Sequence, residues 1–282
     1  MAFNLDNLTS TVTLTNGVQM PVFGLGVFKS EPGAETENAV GAAVELGYQH
    51  IDTAAYYKNE ADVGRALAGT GAGTGTGVFV TTKVWNSDQG YDNTLRAFDR
   101  SLEELNLPAV DLYLVHWPKP EHMKDTWRAM ERIYDQKLAR AIGVSNFEPH
   151  HLEELSVHGN HAPTVNQVEL HPYLTQQAVR DYCREHQIVV EAWSPLGRGK
   201  VIGDAVLKEI GKAHNRSEVQ VALRWALQHD IVVIPKSVNR DRIADNTRVF
   251  DFTLSADEMA RIDGLHVGEA GRVGPHPDTI SF

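Results

Sequence analysis

The run VFVTTKVWN, Val78 to Asn86, reads as a buried strand, yet it carries a lysine, Lys83, near its end. Taking an ammonium group out of water is costly unless it is paired or put to use, so the chain must supply a partner. The neighbouring apolar runs close on polar residues of their own: YQHID on Asp52 and VDLYLVHW near His116. Asp52 and Lys83, on consecutive strands and at equivalent depth, can form an ion pair that keeps the lysine charged. Tyr57 follows Asp52 by five residues in DTAAYYKNE, where a loop can fold it back over the strand ends. A cation beside a phenol favours phenolate, which is expected to lower the tyrosine pKa from about 10 toward the working range of a general acid. A tyrosine acid, a lysine that polarises it, an aspartate that holds the lysine and a nearby histidine can donate protons but make a poor nucleophile set. That combination points to carbonyl reduction. No side chain supplies a hydride, so a nicotinamide cofactor is implied.

The elements that must position these residues are eight short apolar runs: VFGLG, YQHID, VFVTTKV, VDLYLVHW, RAIGVSNF, TVNQVEL, IVVEAWSP and IVVIPKS. Between them lie amphipathic stretches such as TLRAFDRSLEELN, DTWRAMERIYDQK and VQVALRWALQH, with apolar residues at three- and four-residue spacing. Strand then helix, repeated eight times without a change of composition, predicts an α/β fold. The specific form is a (β/α)8 TIM barrel in a single domain over residues 1–282, in preference to an open doubly wound sheet. Ahead of it, Asn16-Gly17 between two alternating segments predicts an N-terminal β-hairpin with a two-residue turn. GTGAGTGTG, 69–77, is glycine-dense, but no register gives G-x-G-x-x-G and it precedes a strand, so it reads as a flexible surface loop and not a phosphate cradle.

In a parallel barrel the active site lies at the carboxyl ends of the strands, so the residues that terminate each run carry the information. They are Asp52, Lys83, His116, Ser145 with Asn146, Gln167, Trp193 with Ser194, and Lys236 with Ser237. Taken singly each has a structural explanation, as a helix cap, a satisfied core histidine or a packing aromatic. Seven strands converging polar or aromatic groups on one rim argue for a site.

A formal net charge of −11 sets the protein against nucleic acid and anionic membrane as partners, so any anion it binds needs a local basic pocket. The single cysteine, Cys183, excludes an internal disulfide, and MAFNLDNLTS has neither the basic start nor the apolar core of a signal peptide. No apolar segment approaches the roughly 20 residues that span a bilayer. These features set the expectation of a cytoplasmic protein, with a monomer as the default state.

Eight ordered motifs now carry a resemblance: GLGVF (24–28), DTAAYYKNE (52–60), TTKVWN (81–86), VDLYLVHWP (110–118), AIGVSNF (141–147), NQVELHP (166–172), AWSPLGRG (192–199) and IPKSVNRDRIADN (234–246). The chain resembles the aldo-keto reductase superfamily along essentially its whole length. The spacing from HWP to GVSNF and the tail GRVGPHPD are similar to bacterial reductases of the 2,5-diketo-D-gluconate reductase type. The resemblance implies a catalytic tetrad of Asp52, Tyr57, Lys83 and His116, and selects Tyr57 over Tyr56 because the acid lies five residues beyond the aspartate. It implies NADPH, with Gly26, Ser145, Asn146, Gln167, Trp193, Ser194, Leu196 and Gly197 toward the nicotinamide and pyrophosphate. Lys236, Ser237, Val238, Arg242 and Asn246 would surround the adenosine end. Two cations and a hydroxyl suit a 2′-phosphate, the basic pocket the acidic surface demands, while Asn239 leaves the strength of the preference over NADH open. Phe28, Trp85, His116, Trp117 and Trp193 would line a pocket for a small carbonyl substrate, with the tail from Gly271 onward closing over the rim.

Two other readings draw on the same residues. A metal-dependent hydrolase on the same barrel would draw on His50, Asp52, Lys83, His116 and His171, but His50 lacks the second histidine on its strand that such sites commonly use, and no metal is expected. A cofactor-binding, non-catalytic role is possible on any fold, and the intact tetrad weighs against it.

Overall fold

Parallel strands buried on both faces have no polar face to give to water, and the eight apolar runs accordingly form one continuous parallel sheet. In the computed structural model, which describes residues 3–69 and 77–280, the strands are β3 (Leu25–Gly26), β4 (His50–Asp52), β5 (Phe79–Val84), β6 (Val110–Val115), β7 (Ala139–Ser145), β8 (Val165–Glu169), β9 (Val189–Trp193) and β10 (Ile231–Val233). They hydrogen-bond in sequence order from β3 to β10. Parallel bridges from Phe23 to Val233 and from Gly26 to Lys236 join the last strand back to the first, giving the expected barrel. A Cβ at Gly26 would meet the Ile234 carbonyl oxygen at 2.9 Å, so this contact needs a residue without a side chain.

Helices fill the outer layer: α1 (Ala34–Glu45), α2 (Glu60–Gly69), α3 (Tyr91–Leu105), α4 (Met123–Asp135), α5 (Pro149–His158), α6 (Gln177–Glu185), α7 (Ala205–His214) and α8 (Glu218–Gln228), then the shorter α9 (Arg240–Asn246) and α10 (Ala256–Asp263). Their apolar faces bury Phe98, Trp127, Leu155 and Trp225 against the strands. No helix among the described residues is long and apolar enough to cross a membrane.

The hairpin β1 (Thr11–Thr13) and β2 (Gln19–Pro21) is present and buries Val12, Leu14 and Met20. Its turn differs from the expected two-residue form. The Leu14 amide donates to the Val18 carbonyl at 2.8 Å and the Gly17 amide to the Leu14 carbonyl at 2.8 Å, so Thr15, Asn16 and Gly17 form a three-residue loop. A two-residue type I′ turn needs positive φ at both central residues, but only Gly17 has it (86°). Asn16 instead donates its side-chain amide to the Arg140 carbonyl at 2.9 Å, which pins the hairpin to β7. The glycine-rich stretch 69–77 lies almost wholly outside the described residues.

Candidate active site

Lys83 is fully buried, and every proton on its ammonium has a place. Nζ lies 2.7 and 2.8 Å from the two Asp52 carboxylate oxygens, 2.9 Å from the Thr53 carbonyl oxygen and 3.4 Å from the Tyr57 hydroxyl. Asp52 and Lys83 are not at equivalent depth as expected: Asp52 is in register with Thr81, two residues short of Lys83. The length of the lysine side chain spans the offset. Burial disfavours the Lys83 charge, but the Asp52 and Tyr57 oxygens outweigh it and hold the pKa above the usual lysine value. Burial also lifts Asp52, against the pull of Lys83 and of a hydrogen bond from Gln167.

Tyr57 closes the short turn Ala55–Tyr57 after β4, and Lys58 behind it takes a left-handed φ of 57°. The ring lies 5.0 Å from Phe28 and 5.6 Å from His116, centroid to centroid. Tyr56 is directed elsewhere: it is 47% exposed and stacks on Trp85 at 3.8 Å. The expected lowering of the Tyr57 pKa does not hold. Burial dominates the Lys83 charge, and the phenol is pushed up to about 12. The lysine moderates an upward shift, and Tyr57 remains a protonated donor throughout the neutral range.

His116 follows β6 and is buried, with Nδ1 lacking a hydrogen-bond partner. Burial first, and the Lys83 charge second, hold its pKa well below the ordinary histidine value. The imidazole is therefore neutral at physiological pH. We expect kcat/KM for carbonyl reduction to be flat between about pH 5.5 and about 7.5, because no charge change of His116 falls in that window. An acid limb with an apparent pKa near that of free histidine in a pH–rate profile would contradict this.

The polar ends of β7, β8 and β9 meet as the sequence predicts, but in this structure they bond to one another. Asn146, at a left-handed φ of 65°, folds back so that its amide donates to the His116 carbonyl at 2.9 Å and the Ser145 hydroxyl at 3.0 Å. Its Oδ1 accepts the Trp193 indole N–H at 2.7 Å, and Ser145 donates to the Gln167 carbonyl at 2.8 Å. The Gln167 amide points inward and donates to Asp52 and to Glu191, both at 2.7 Å. Glu191 is a buried carboxyl that the sequence reading did not single out. Beyond Trp193 the chain turns sharply through Ser194 and Gly197, at φ of 49° and 54°, with the Gly197 amide donating to the Ser194 carbonyl at 2.8 Å and Leu196 packed on the core.

Lys236 and Val238 are exposed after β10, and Ser237 is buried between them. Ser237 accepts the Asn239 amide at 3.1 Å, and Asn239 caps α9 by accepting the Arg242 amide at 3.0 Å. Asn246 is buried at the far end of α9. Among the described residues Lys236 and Arg242 enter no ion pair, whereas Arg240 pairs with Glu45 and Arg248 with Asp245. Two uncommitted cations on an acidic protein fit a bound phosphate.

Aromatic walls surround the tetrad. Trp85 and His116 meet edge to face at 5.1 Å, and Trp117 and Trp193 at 6.5 Å. The tail reaches this rim as expected. Val273 and Gly274 donate their backbone amides to Glu169 at 2.5 and 2.7 Å, and a Cβ at Gly274 would come 2.4 Å from the edge of the Trp193 ring. The Glu169 latch is a second feature the sequence reading missed.

Of the residues invoked for a metal-dependent hydrolase, Asp52 and Lys83 are paired with each other. His50 faces Thr81 at 3.1 Å and His171 faces Glu169 at 3.1 Å. Among the described residues, a group with metal-ligand spacing is His150, His151 and Asp278. His151 Nδ1 accepts the Glu148 amide, so the neutral ring carries its proton on the Nε2 that faces Asp278, as a hydrogen bond requires and a metal ligand does not.

Comparison with known proteins agrees with this geometry. Residues 22–267 match the family described as "Aldo/keto reductase family". The chain is 53% identical over 276 residues to glyoxal reductase of Bacillus subtilis (strain 168), covering 98% of this chain and 99% of that one. It is 42% identical over 273 residues to methylglyoxal reductase DkgA of Yersinia pestis, covering 95% and 96%. Among solved structures, a variant of Gox0644 in complex with NADPH superposes with a TM-score of 0.92 at 42% identity, covering 97% of this chain and 99% of that one. A putative 2,5-diketo-D-gluconic acid reductase B does so at 0.90 and 34%, covering 97% and 96%. With a barrel of this topology and a rim of this composition, the chain belongs to the aldo/keto reductase family and is an NADP-dependent oxidoreductase acting on carbonyl groups.

Proposed function

We propose that this enzyme reduces small aldehydes and α-dicarbonyls of the glyoxal and methylglyoxal type, with Tyr57 as the proton donor. The observation that carries this reading is the Tyr57 hydroxyl, 3.4 Å from Lys83 Nζ and beside a neutral His116, in an aromatic-walled rim. When bound, NADPH supplies the hydride that adds to the carbonyl carbon. Tyr57 breaks its O–H bond to protonate the carbonyl oxygen, and the resulting phenolate is met by the Lys83 ammonium. His116 donates a hydrogen bond to the same oxygen and orients it. Asp52 keeps Lys83 charged and in place. Steady loss of NADPH absorbance with glyoxal, methylglyoxal and a simple aldehyde tests the proposal. Turnover of none of them, with NADPH bound, would overturn it.

Ser145, Asn146 and Gln167 are suited to a carboxamide: with both Gln167 amide protons committed inward, its oxygen is left to accept, and Asn146 can exchange its neighbours for the cofactor. Trp193 offers a ring face to nicotinamide, and the Ser194–Gly197 turn supports the pyrophosphate. Lys236, Ser237 and Arg242 hold the adenosine phosphate. We expect Arg242→Ala to weaken NADPH by on the order of tenfold or more while leaving NADH nearly unchanged, because only NADPH carries the extra phosphate. Equal weakening of both in a tryptophan-quenching titration would contradict the assignment. We also read the chain as one domain and a monomer of the reducing cytoplasm, in keeping with its buried, unpaired Cys183; size-exclusion chromatography with light scattering tests the oligomeric state.

A further inference from the structure

A fully buried carboxyl group sits beside the tetrad. Glu191 lies in β9 between Val190 and Ala192 and has no solvent exposure. Its Oε2 accepts from Gln167 at 2.7 Å, and its Oε1 has no hydrogen-bond partner. The same Gln167 nitrogen donates to Asp52, so one amide bridges the two acids.

The groups facing Glu191 are few. From β4 come His50, whose Nε2 is 3.7 Å away, and Asp52; from β5 comes Lys83; from the turn after β4 comes Tyr57; from β8 comes Gln167. On the other side its register partner in β10 is Val232, between Ile231 and Val233. Burial and the Lys83 charge press the His50 pKa down to about 3, so His50 is neutral and offers no charge. The Lys83 protons go to Asp52, to the Thr53 carbonyl and to Tyr57, and none goes to Glu191. Two carboxyls therefore share one cation inside the barrel. Like charges this close and this dry cannot both persist, and one must carry a proton. Asp52, held through both oxygens by Lys83, keeps its charge, and the proton falls to Glu191.

We infer that Glu191 is a positioning residue that sets the proton-donating power of Tyr57: protonated it keeps the buried site neutral, and ionised it suppresses reduction. This rests on Tyr57 being the acid. Glu191 keeps its own proton through the reaction and transfers none. Its charge matters because the step leaves a negative charge on Tyr57, and a second anion nearby opposes it. Burial first, and the Asp52 charge second, place the Glu191 pKa at about 8, whereas Tyr57 is pushed up to about 12. On this inference an alkaline limb in the rate profile follows the ionisation of Glu191, the bridged partner of Asp52.

The test is kcat/KM for a small dicarbonyl against pH, at saturating NADPH, for the unmodified enzyme and Glu191→Gln. The unmodified enzyme should lose on the order of tenfold in rate across about pH 8. Glu191→Gln should keep the neutral-pH rate within about threefold and lose that limb. An unchanged limb in Glu191→Gln, even with a lower overall rate, would overturn the inference, because a purely structural role lowers the rate without moving the profile. Stability gives a readout that does not depend on activity. A carboxyl with a raised folded-state pKa contributes stability that is fully present below its unfolded value of about 4.3 and is lost as pH rises to about 8. Glu191→Gln should flatten that slope. Should the variant not fold, the infrared difference spectrum of the unmodified protein between about pH 7 and about pH 9 must show a protonated carboxylic C=O band disappearing; no such band would overturn the inference. If Tyr57→Phe turned over normally, the acid assignment would fall, while the Glu191→Gln profile would still report whether the limb belongs to position 191.

Discussion

Tyr57→Phe should reduce carbonyls on the order of a thousandfold more slowly than the unmodified enzyme, and should bind NADPH with unchanged affinity. The substitution removes one hydroxyl and leaves the ring, so its packing against Phe28 at 5.0 Å and His116 at 5.6 Å persists. What is lost is the proton donor and the oxygen facing Lys83. A thousandfold loss corresponds to about 4 kcal/mol of transition-state stabilisation, within the range expected when a positioned acid is removed. Steady-state rates alongside tryptophan quenching by NADPH check both halves. A rate within about tenfold of the unmodified enzyme would move the acid role to another group.

Lys83→Met should be as damaging to turnover and should also destabilise the fold. The side chain is fully buried and its ammonium is the one cation facing both Asp52 and Glu191 among the described residues. Removing one partner of a buried ion pair typically costs about 3–5 kcal/mol because the other charge is left unpaired. The orphaned Asp52 can escape by taking a proton, and the sign of the pH dependence follows. Its folded-state pKa would lie above its unfolded value, so the variant should come closest to normal stability in mild acid and lose ground as pH rises. Thermal unfolding of both proteins at about pH 5 and about pH 8 measures this. An equal stability deficit at the two values would contradict it.

The fold was legible because parallel strands buried on both faces announce themselves as uninterrupted apolar runs, and all eight became strands of the barrel. The site was legible for the complementary reason. Polar residues at the ends of such runs are anomalies, and Asp52, Lys83, His116, Asn146 and Gln167 were recognisable as such. Glu191 is the same anomaly, a charged residue inside IVVEAW, and it should have raised the question that Lys83 raised in VFVTTKV. What sequence could not supply was register and dielectric. The two-residue offset between Asp52 and Lys83 is set by how neighbouring strands pair in the barrel, which no single strand encodes. The upward shift of Tyr57 comes from the depth at which the folded chain buries it, and a spacing of five residues says nothing about depth. The hairpin loop misled for a local reason, since Asn16 bonds across to Arg140, far away in sequence.

The most direct test of the central claim is the loss of NADPH absorbance at saturating cofactor with methylglyoxal, measured side by side for the unmodified enzyme and Tyr57→Phe. The predicted result is sustained turnover by the first and, with NADPH demonstrably bound to both, less than about a hundredth of that rate by the second. Equal turnover by the two proteins, or none by the unmodified enzyme with NADPH bound, would contradict the account.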